Sequence, residues 1–165
     1  MMQVGSQAGA AFERTTGSGE DSAETASQAV SAYLAAFYSA DFLKARALVA
    51  ADYAFRGPFL QVESRDAFFD GAAGLLAIVR GHRVLRQWAD GNDVCSVYEV
   101  NLETSSGAGS ILMREWNTVR SGLLASGCLV FDTAAFRALV PPRAVKPGEA
   151  VAIDTESVNR QDLGA

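Results

Sequence analysis

The sequence predicts an α+β domain, helices first and an antiparallel sheet after, and three observations carry that reading. Apolar residues recur at three- and four-residue spacings as far as Val79, the period of a buried helix face. From Val84 the pattern changes to four apolar-rich runs separated by short turn clusters, which reads as a meander of antiparallel strands. The helices are too few to cover both faces of such a sheet, so the layers are α+β and not α/β.

The elements follow in order. Val30, Tyr33, Leu34, Phe37 and Tyr38 share one face of a first helix. Asp41 caps a second, with Phe42, Ala45, Leu48 and Val49 as its stripe. Residues 52–58 alternate briefly and stop at Gly57-Pro58, as a short strand does at a bend. Ser64 is the N-cap of a third helix, with Asp66 in its first turn. Phe68, Ala72, Leu75 and Val79 form its apolar face, and Arg80-Gly81 closes it. Strands are expected at 84–89, 94–103, 111–119 and 123–131. The turns between them fall at Asp90-Gly91-Asn92, Ser105–Gly109 and Arg120-Ser121-Gly122. Residues 1–22 are rich in Gly, Ser, Thr and Ala without apolar period and read as a flexible leader. Residues 23–139 are the domain, and 140–165, with Pro141, Pro142 and Pro147, are a loose or surface-draped tail.

Composition narrows the function. A chain of 165 residues with 49% hydrophobic and 20% charged residues suits one globular domain. Lys and Arg number 14 against 19 Asp and Glu, with no basic run, so no nucleic-acid partner is expected. No apolar run approaches the ~20 residues of a membrane span, and the N-terminus lacks a signal-peptide pattern. A cytoplasmic protein is expected. Cys95 and Cys128 stand far apart inside apolar runs, the setting of small buried hydrophobes in a reducing compartment. With one histidine and two cysteines far apart in the chain, a dedicated zinc or iron site, which wants three or four such ligands, is not expected. Gly71-Ala72-Ala73-Gly74 lies within a helix pattern, not after a strand, so it is no phosphate loop, and no G-x-S-x-G elbow occurs. No metal and no cofactor are expected.

Several stretches resemble the nuclear-transport-factor-2-like superfamily in its SnoaL-like branch. Tyr33-Leu34-Ala35-Ala36-Phe37 with Asp41 looks like that group's first helix and its cap. Ala51-Asp52-Tyr53-Ala54-Phe55-Arg56-Gly57-Pro58 resembles the start of its first strand. Trp88-Ala89-Asp90-Gly91-Asn92-Asp93-Val94 resembles its "adGd-V" hairpin, and Glu115-Trp116 through Phe131-Asp132 its closing strands. The resemblance covers about Ala26 to Phe136. It implies a cone-shaped curved antiparallel sheet packed against three N-terminal helices, an apolar pocket for a hydrophobic small molecule, and often a homodimer through the outer sheet face. Apolar residues on both parities of the strands, Val97 with Tyr98 and Leu112 with Met113, agree with a sheet covered on both faces.

The superfamily includes polyketide cyclases, isomerases, dehydratases and epoxide hydrolases, and the fold alone does not choose among them. In ketosteroid isomerase, a helix tyrosine and a protonated carboxylic acid form an oxyanion hole, and an Asp before a proline is the base. Tyr33 resembles that tyrosine and Glu115 that acid. The base position falls on Gly57, before Pro58, and carries no acid. His82, the one side chain titrating near neutrality, or Asp52 would then move a proton. Asp52 and Arg56 stand where the first strand nears the pocket mouth and could orient a polar group. Phe37, Phe55, Phe59, Phe68, Trp88, Tyr98, Met113 and Phe131 suit pocket walls as they suit a core.

The register of the 94–104/110–119 hairpin places Glu115. A two-residue turn at Ser106-Gly107 sets Glu115 opposite Tyr98, with Tyr98, Val100, Met113 and Glu115 facing the pocket. A loop one residue longer sets it opposite Glu99, as a carboxyl pair. Other readings stand beside these: Glu115 as a surface carboxylate paired with Arg, Tyr33 as a core aromatic, His82 as a solvated loop residue. The functional expectation is an acid/base enzyme of the cyclase, isomerase, dehydratase or hydrolase type. The alternative is a non-catalytic ligand-binding or dimeric accessory protein of the same fold.

Overall fold

The structure, a computed structural model, describes residues 17–141, so residues 1–16 of the expected leader and the tail beyond 141 lie outside the described residues. The elements run α1 (Gly17–Tyr38), α2 (Phe42–Ala47), β1 (Val49–Arg56), β2 (Gln61–Val62), α3 (Arg65–Leu76), β3 (Val79–Asp90), β4 (Asp93–Thr104), β5 (Gly107–Arg120), β6 (Leu123–Phe131) and α4 (Thr133–Leu139). Helices come first and the meander after, as expected. Residues 17–22 are helical, not leader. Glu20, Ala23, Glu24, Ala26, Gln28 and Ala29 are good helix formers that carry α1 back from Val30, and Ala26 is buried. The expected caps are in place. Asp41 accepts from the Lys44 amide and Ser64 from the Ala67 amide, both at 3.2 Å.

Several elements differ in extent from the sequence reading. Val79 and Arg80 open β3 instead of ending α3, because Val79 pairs with Leu102 across the sheet. The first strand starts at Val49, not 52, and the chain beyond its bend returns as the two-residue β2. A short fourth helix follows β6, its N-cap Asp132 accepting from the Ala134 and Ala135 amides at 2.9 and 3.0 Å.

The six strands form one sheet in the order β2-β1-β6-β5-β4-β3. The meander β3–β6 is antiparallel throughout, whereas β1 joins β6 in parallel, so the sheet is mixed. Register shifts at Val79/Gly81, Val84/Arg86 and Thr118/Val119 bend the strands. The Ser121-Gly122 turn has φ of 52° and 78°, both positive as a type I′ hairpin requires. The curved inner face receives α1 against β3, β4 and β5, and α3 against β1. The core lies between: Val30, Tyr33, Leu34, Val94, Tyr98, Val100, Met113 and Leu124 have 2% exposure or less. Among the described residues no helix is long and apolar enough to cross a membrane.

Leu124 is buried at the junction of β6, β5 and β1, its amide bonded to the Leu48 carbonyl at 2.9 Å. Leu124→Ala removes packing that the rigid junction cannot refill, and should cost about 2–5 kcal/mol in a denaturant titration. Leu43→Ala, at a position 86% exposed, should stay within about 0.5 kcal/mol of the parent.

Candidate active site

A cavity of about 320 Å³ opens between the inner face of the sheet and the helices. Its walls are supplied from every layer. α1 gives Tyr33, Leu34, Phe37 and Tyr38; β1 gives Phe55; α3 gives Phe68 and Leu75. Tyr98, Met113 and Glu115 come from β4 and β5, and Phe131 and Phe136 from β6 and α4. The aromatic rings interlock, with Phe37 5.6 Å from Phe68, and Phe68 4.8 Å from Phe55. At one rim Phe59, Phe131 and Phe136 form a mutual triad at 5.3–5.6 Å.

The hairpin places one carboxyl in this apolar space. The two-residue turn is Ser105-Ser106, one step earlier than either register considered from sequence. The Thr104 hydroxyl accepts from the Ser106 amide at 3.1 Å, and Gly107 takes a φ of 132° that a side chain would resist. Glu115 therefore pairs with Ser96, and Tyr98 with Met113. The preferred register differs from this by two residues, which preserves the face. Tyr98, Val100, Met113 and Glu115 do face inward together, and no carboxyl pair with Glu99 forms, because Glu99 faces out to Arg83 at 2.8 Å.

Glu115 is 4% exposed, and the Tyr98 hydroxyl donates to its Oε2 at 2.5 Å. The Tyr38 hydroxyl donates in turn to that of Tyr98 at 3.2 Å and lies 3.6 Å from Met113 Sδ. Burial pushes the Glu115 carboxyl above the usual carboxylate range, against the opposing pull of the Tyr98 hydrogen bond and of nearby Asn117. Burial likewise holds Tyr33 and Tyr98 well above the ordinary phenol, with the charge of Glu115 adding to it. Among the described residues the Tyr33 hydroxyl makes no hydrogen bond, which leaves it free for a ligand. The arrangement can present a neutral acid and a phenol to a ligand oxygen inside an apolar chamber.

The other expected site residues divide. Phe37, Phe59, Phe68, Tyr98, Met113 and Phe131 line the cavity with Tyr33 and Glu115. Asp52 does not: β1 turns it to the outer side, where Arg120 Nη2 donates to both carboxylate oxygens at 2.7 Å and holds the carboxyl pKa below the usual range. Arg56 alternates outward on the same strand, and Trp88 is 55% exposed on β3 beneath Arg86. His82 lies in β3, not in a loop, opposite Val100. It stacks on the Tyr38 ring at 5.1 Å, outside the cavity wall, and partial burial lowers its pKa. The expectation that Asp52 or His82 reaches the ligand is thus corrected. The cysteines are corrected too: Cys95 is half-buried and Cys128 exposed, both free. They flank Trp116 on the outer sheet face.

Gly57 lines the cavity, and a Cβ there would meet the Phe55 ring at 2.9 Å. An acid at that position would therefore displace Phe55. Sequence reading missed Tyr38 as a site residue. Its place on the same helix stripe as Tyr33 was visible, but its partner Tyr98 depends on the sheet's curvature. Among the described residues no group of three His, Cys, Asp or Glu side chains could hold a metal ion.

A family profile described as a SnoaL-like domain matches residues 30–126. No curated protein matches the chain. Among solved structures, a protein from Kribbella flavida is 25% identical, with a TM-score of 0.60 over 67% of this chain and 90% of that one. An LEH-like epoxide hydrolase of M. tuberculosis is 20% identical, with a TM-score of 0.63 over 72% of this chain and 91% of its own. TerC, crystallised with polyporic acid, is 17% identical, with a TM-score of 0.63 over 72% and 99%. The last two likenesses are of fold alone.

A carboxyl raised in the folded state binds its proton more tightly there than in the unfolded chain. Its contribution to stability is therefore present at low pH and is lost as pH climbs from about 4.3, the unfolded value, through the folded one. Glu115→Gln should flatten that loss and gain about 1 kcal/mol over the parent at pH 8. Urea titrations of both proteins between pH 4 and 8 measure it. A parent whose stability instead rises with pH relative to the variant would mean that Glu115 is ionised in place.

Proposed function

We propose, on the premise that this chain belongs to the SnoaL-like domain family, that it is a small-molecule enzyme in which Glu115 serves as a neutral acid. Its ligand is a largely apolar molecule carrying a carbonyl or comparable oxygen. The observation that carries this reading is the 2.5 Å hydrogen bond from Tyr98 to a carboxyl buried at the cavity wall. As charge develops on the ligand oxygen, Glu115 yields its proton toward it, and the carboxylate left behind is steadied by Tyr98, itself polarised by Tyr38. The same carboxylate then takes back a proton released from the ligand, so one group gives and receives. That sequence serves enolisation, and with it isomerisation, cyclisation or dehydration. Hydrolysis would need a positioned water as well. The fold likeness to an epoxide hydrolase and to TerC is compatible with this range and does not select within it.

A second reading, ligand binding without turnover, has one observation in its favour: no separate base reaches the cavity among the described residues. Gly57 stands where one would be, and Asp52 and His82 lie outside. We also infer a homodimer through the outer face of the sheet. Trp88, Cys95, Trp116 and Cys128 form one row across β3 to β6. Leu112, Trp116 and Val130 are 39%, 55% and 53% exposed, an apolar surface that a second copy would cover.

Two measurements test these readings. 2-Tetralone, a fused aromatic ketone with exchangeable α-hydrogens, is incubated with the protein in D2O and followed by NMR. The parent should accelerate exchange, and Glu115→Gln should lose roughly 100-fold of that acceleration; no acceleration by the parent supports the binding reading. In sedimentation the parent should run as a dimer and Trp116→Glu as a monomer. A monomeric parent would remove the dimer proposal.

A further inference from the structure

Beside Glu115, on the inner sheet face but outside the cavity lining, stand polar atoms that the proposed chemistry does not use. Ser96 sits opposite Glu115 on β4. Asn117 follows two residues on, on the same face of β5, opposite Gly127 of β6. Tyr53 reaches over Gly127 from β1. A Cβ on that glycine would lie 2.2 Å from the Tyr53 hydroxyl and 3.2 Å from Asn117 Oδ1, so both atoms border the space its missing side chain leaves. Ser96, Asn117 and Tyr53 are each 0% exposed. By distance and angle the Tyr53 hydroxyl, Ser96 Oγ and both Asn117 amide atoms have no hydrogen-bond partner within the protein, while Asn117 stands near enough to Glu115 to favour its charged form. None of the three residues lines the cavity.

Four buried polar atoms left unpaired on one face of neighbouring strands are strongly destabilising. The usual remedy is a trapped water with roughly two to four polar partners. The donor set fits a water and not a cation: the amide offers both a donor and an acceptor, and the two hydroxyls can turn either way. We propose that Ser96, Asn117 and Tyr53 hold one water molecule beside Glu115, and that this water fixes the carboxyl from outside the cavity lining. The three are positioning residues. They act on the ligand only through Glu115, whose carboxyl is then held twice, by Tyr98 and by the water. A water donating to the carboxyl favours its charged form and so opposes the effect of burial.

The water is sought directly, in a crystal structure of the parent at a resolution that shows solvent, and indirectly in the protonation of Glu115. The filling variant is Tyr53→Phe with Gly127→Ala, in which the lost hydroxyl makes room for the added methyl. The milder one is Ser96→Ala. Expected are a solvent peak within hydrogen-bond distance of Asn117 and Ser96 in the parent, and its loss in the filled variant. The Glu115 titration midpoint, read by infrared spectroscopy of the carboxyl, should rise by about one pH unit in the filled variant and less, in the same direction, in Ser96→Ala. A dry parent with the Asn117 amide bonded directly to the Tyr53 hydroxyl overturns the proposal, as does a midpoint that neither variant moves. Neither readout uses turnover, so the water site stands or falls separately from the role of Glu115 on a ligand.

Discussion

A carboxyl with almost no exposed surface must either shed its charge or be surrounded by donors, and Glu115 stands at the point where this chain meets that demand. Its place follows from the β4–β5 hairpin, whose turn at Ser105-Ser106 puts Tyr98, Met113 and Glu115 on one inward row. The sheet then has to bend around them, which its register shifts allow, and α1 has to bring Tyr33 and Tyr38 against the same space. Tyr98 is the direct donor, and Tyr38 supports it from the helix. An apolar chamber with one polar wall is what remains.

The two faces of the sheet have opposite tasks. Inward, the strands carry fully buried residues and the acid; outward, they carry Arg, Trp, Cys and surface ion pairs such as Arg83–Glu99 and Arg120–Asp52. Those pairs are exposed and contribute little to stability. Alternation on β1 explains why Asp52 and Arg56 miss the cavity while Tyr53 and Phe55 point in. One residue of displacement along a strand separates a catalytic candidate from a surface charge.

Much of this was legible in the sequence. Helix period, caps at Asp41 and Ser64, and the spacing of turn residues are local features, and local chemistry decides them. The inward face of Tyr98, Met113 and Glu115 was legible because parity survives an even slip in register, although the partner of Glu115 was not. Asp52 was misplaced because it has the parity opposite to Tyr53 and Phe55, the residues of the first strand that point inward. Trp88 looked like a wall because a large aromatic in a strand suits either face, and its strand's bulge sets the outcome. The cluster of Ser96, Asn117 and Tyr53 drew no notice, since its members come from three strands whose order, β1-β6-β5-β4, puts a parallel pair between β1 and the meander. No local pattern encodes that neighbour.

The reading turns on the protonation state of one side chain. Carbon-13 NMR of the Glu115 carboxyl, assigned by its loss in Glu115→Gln and followed across pH in the full chain, reports that state in the absence of any ligand. The structure predicts a midpoint clearly above the ~4.3 of an ordinary glutamate. A midpoint at or below that value would show a resident carboxylate held by its donors, and would contradict the neutral acid on which the proposed chemistry depends.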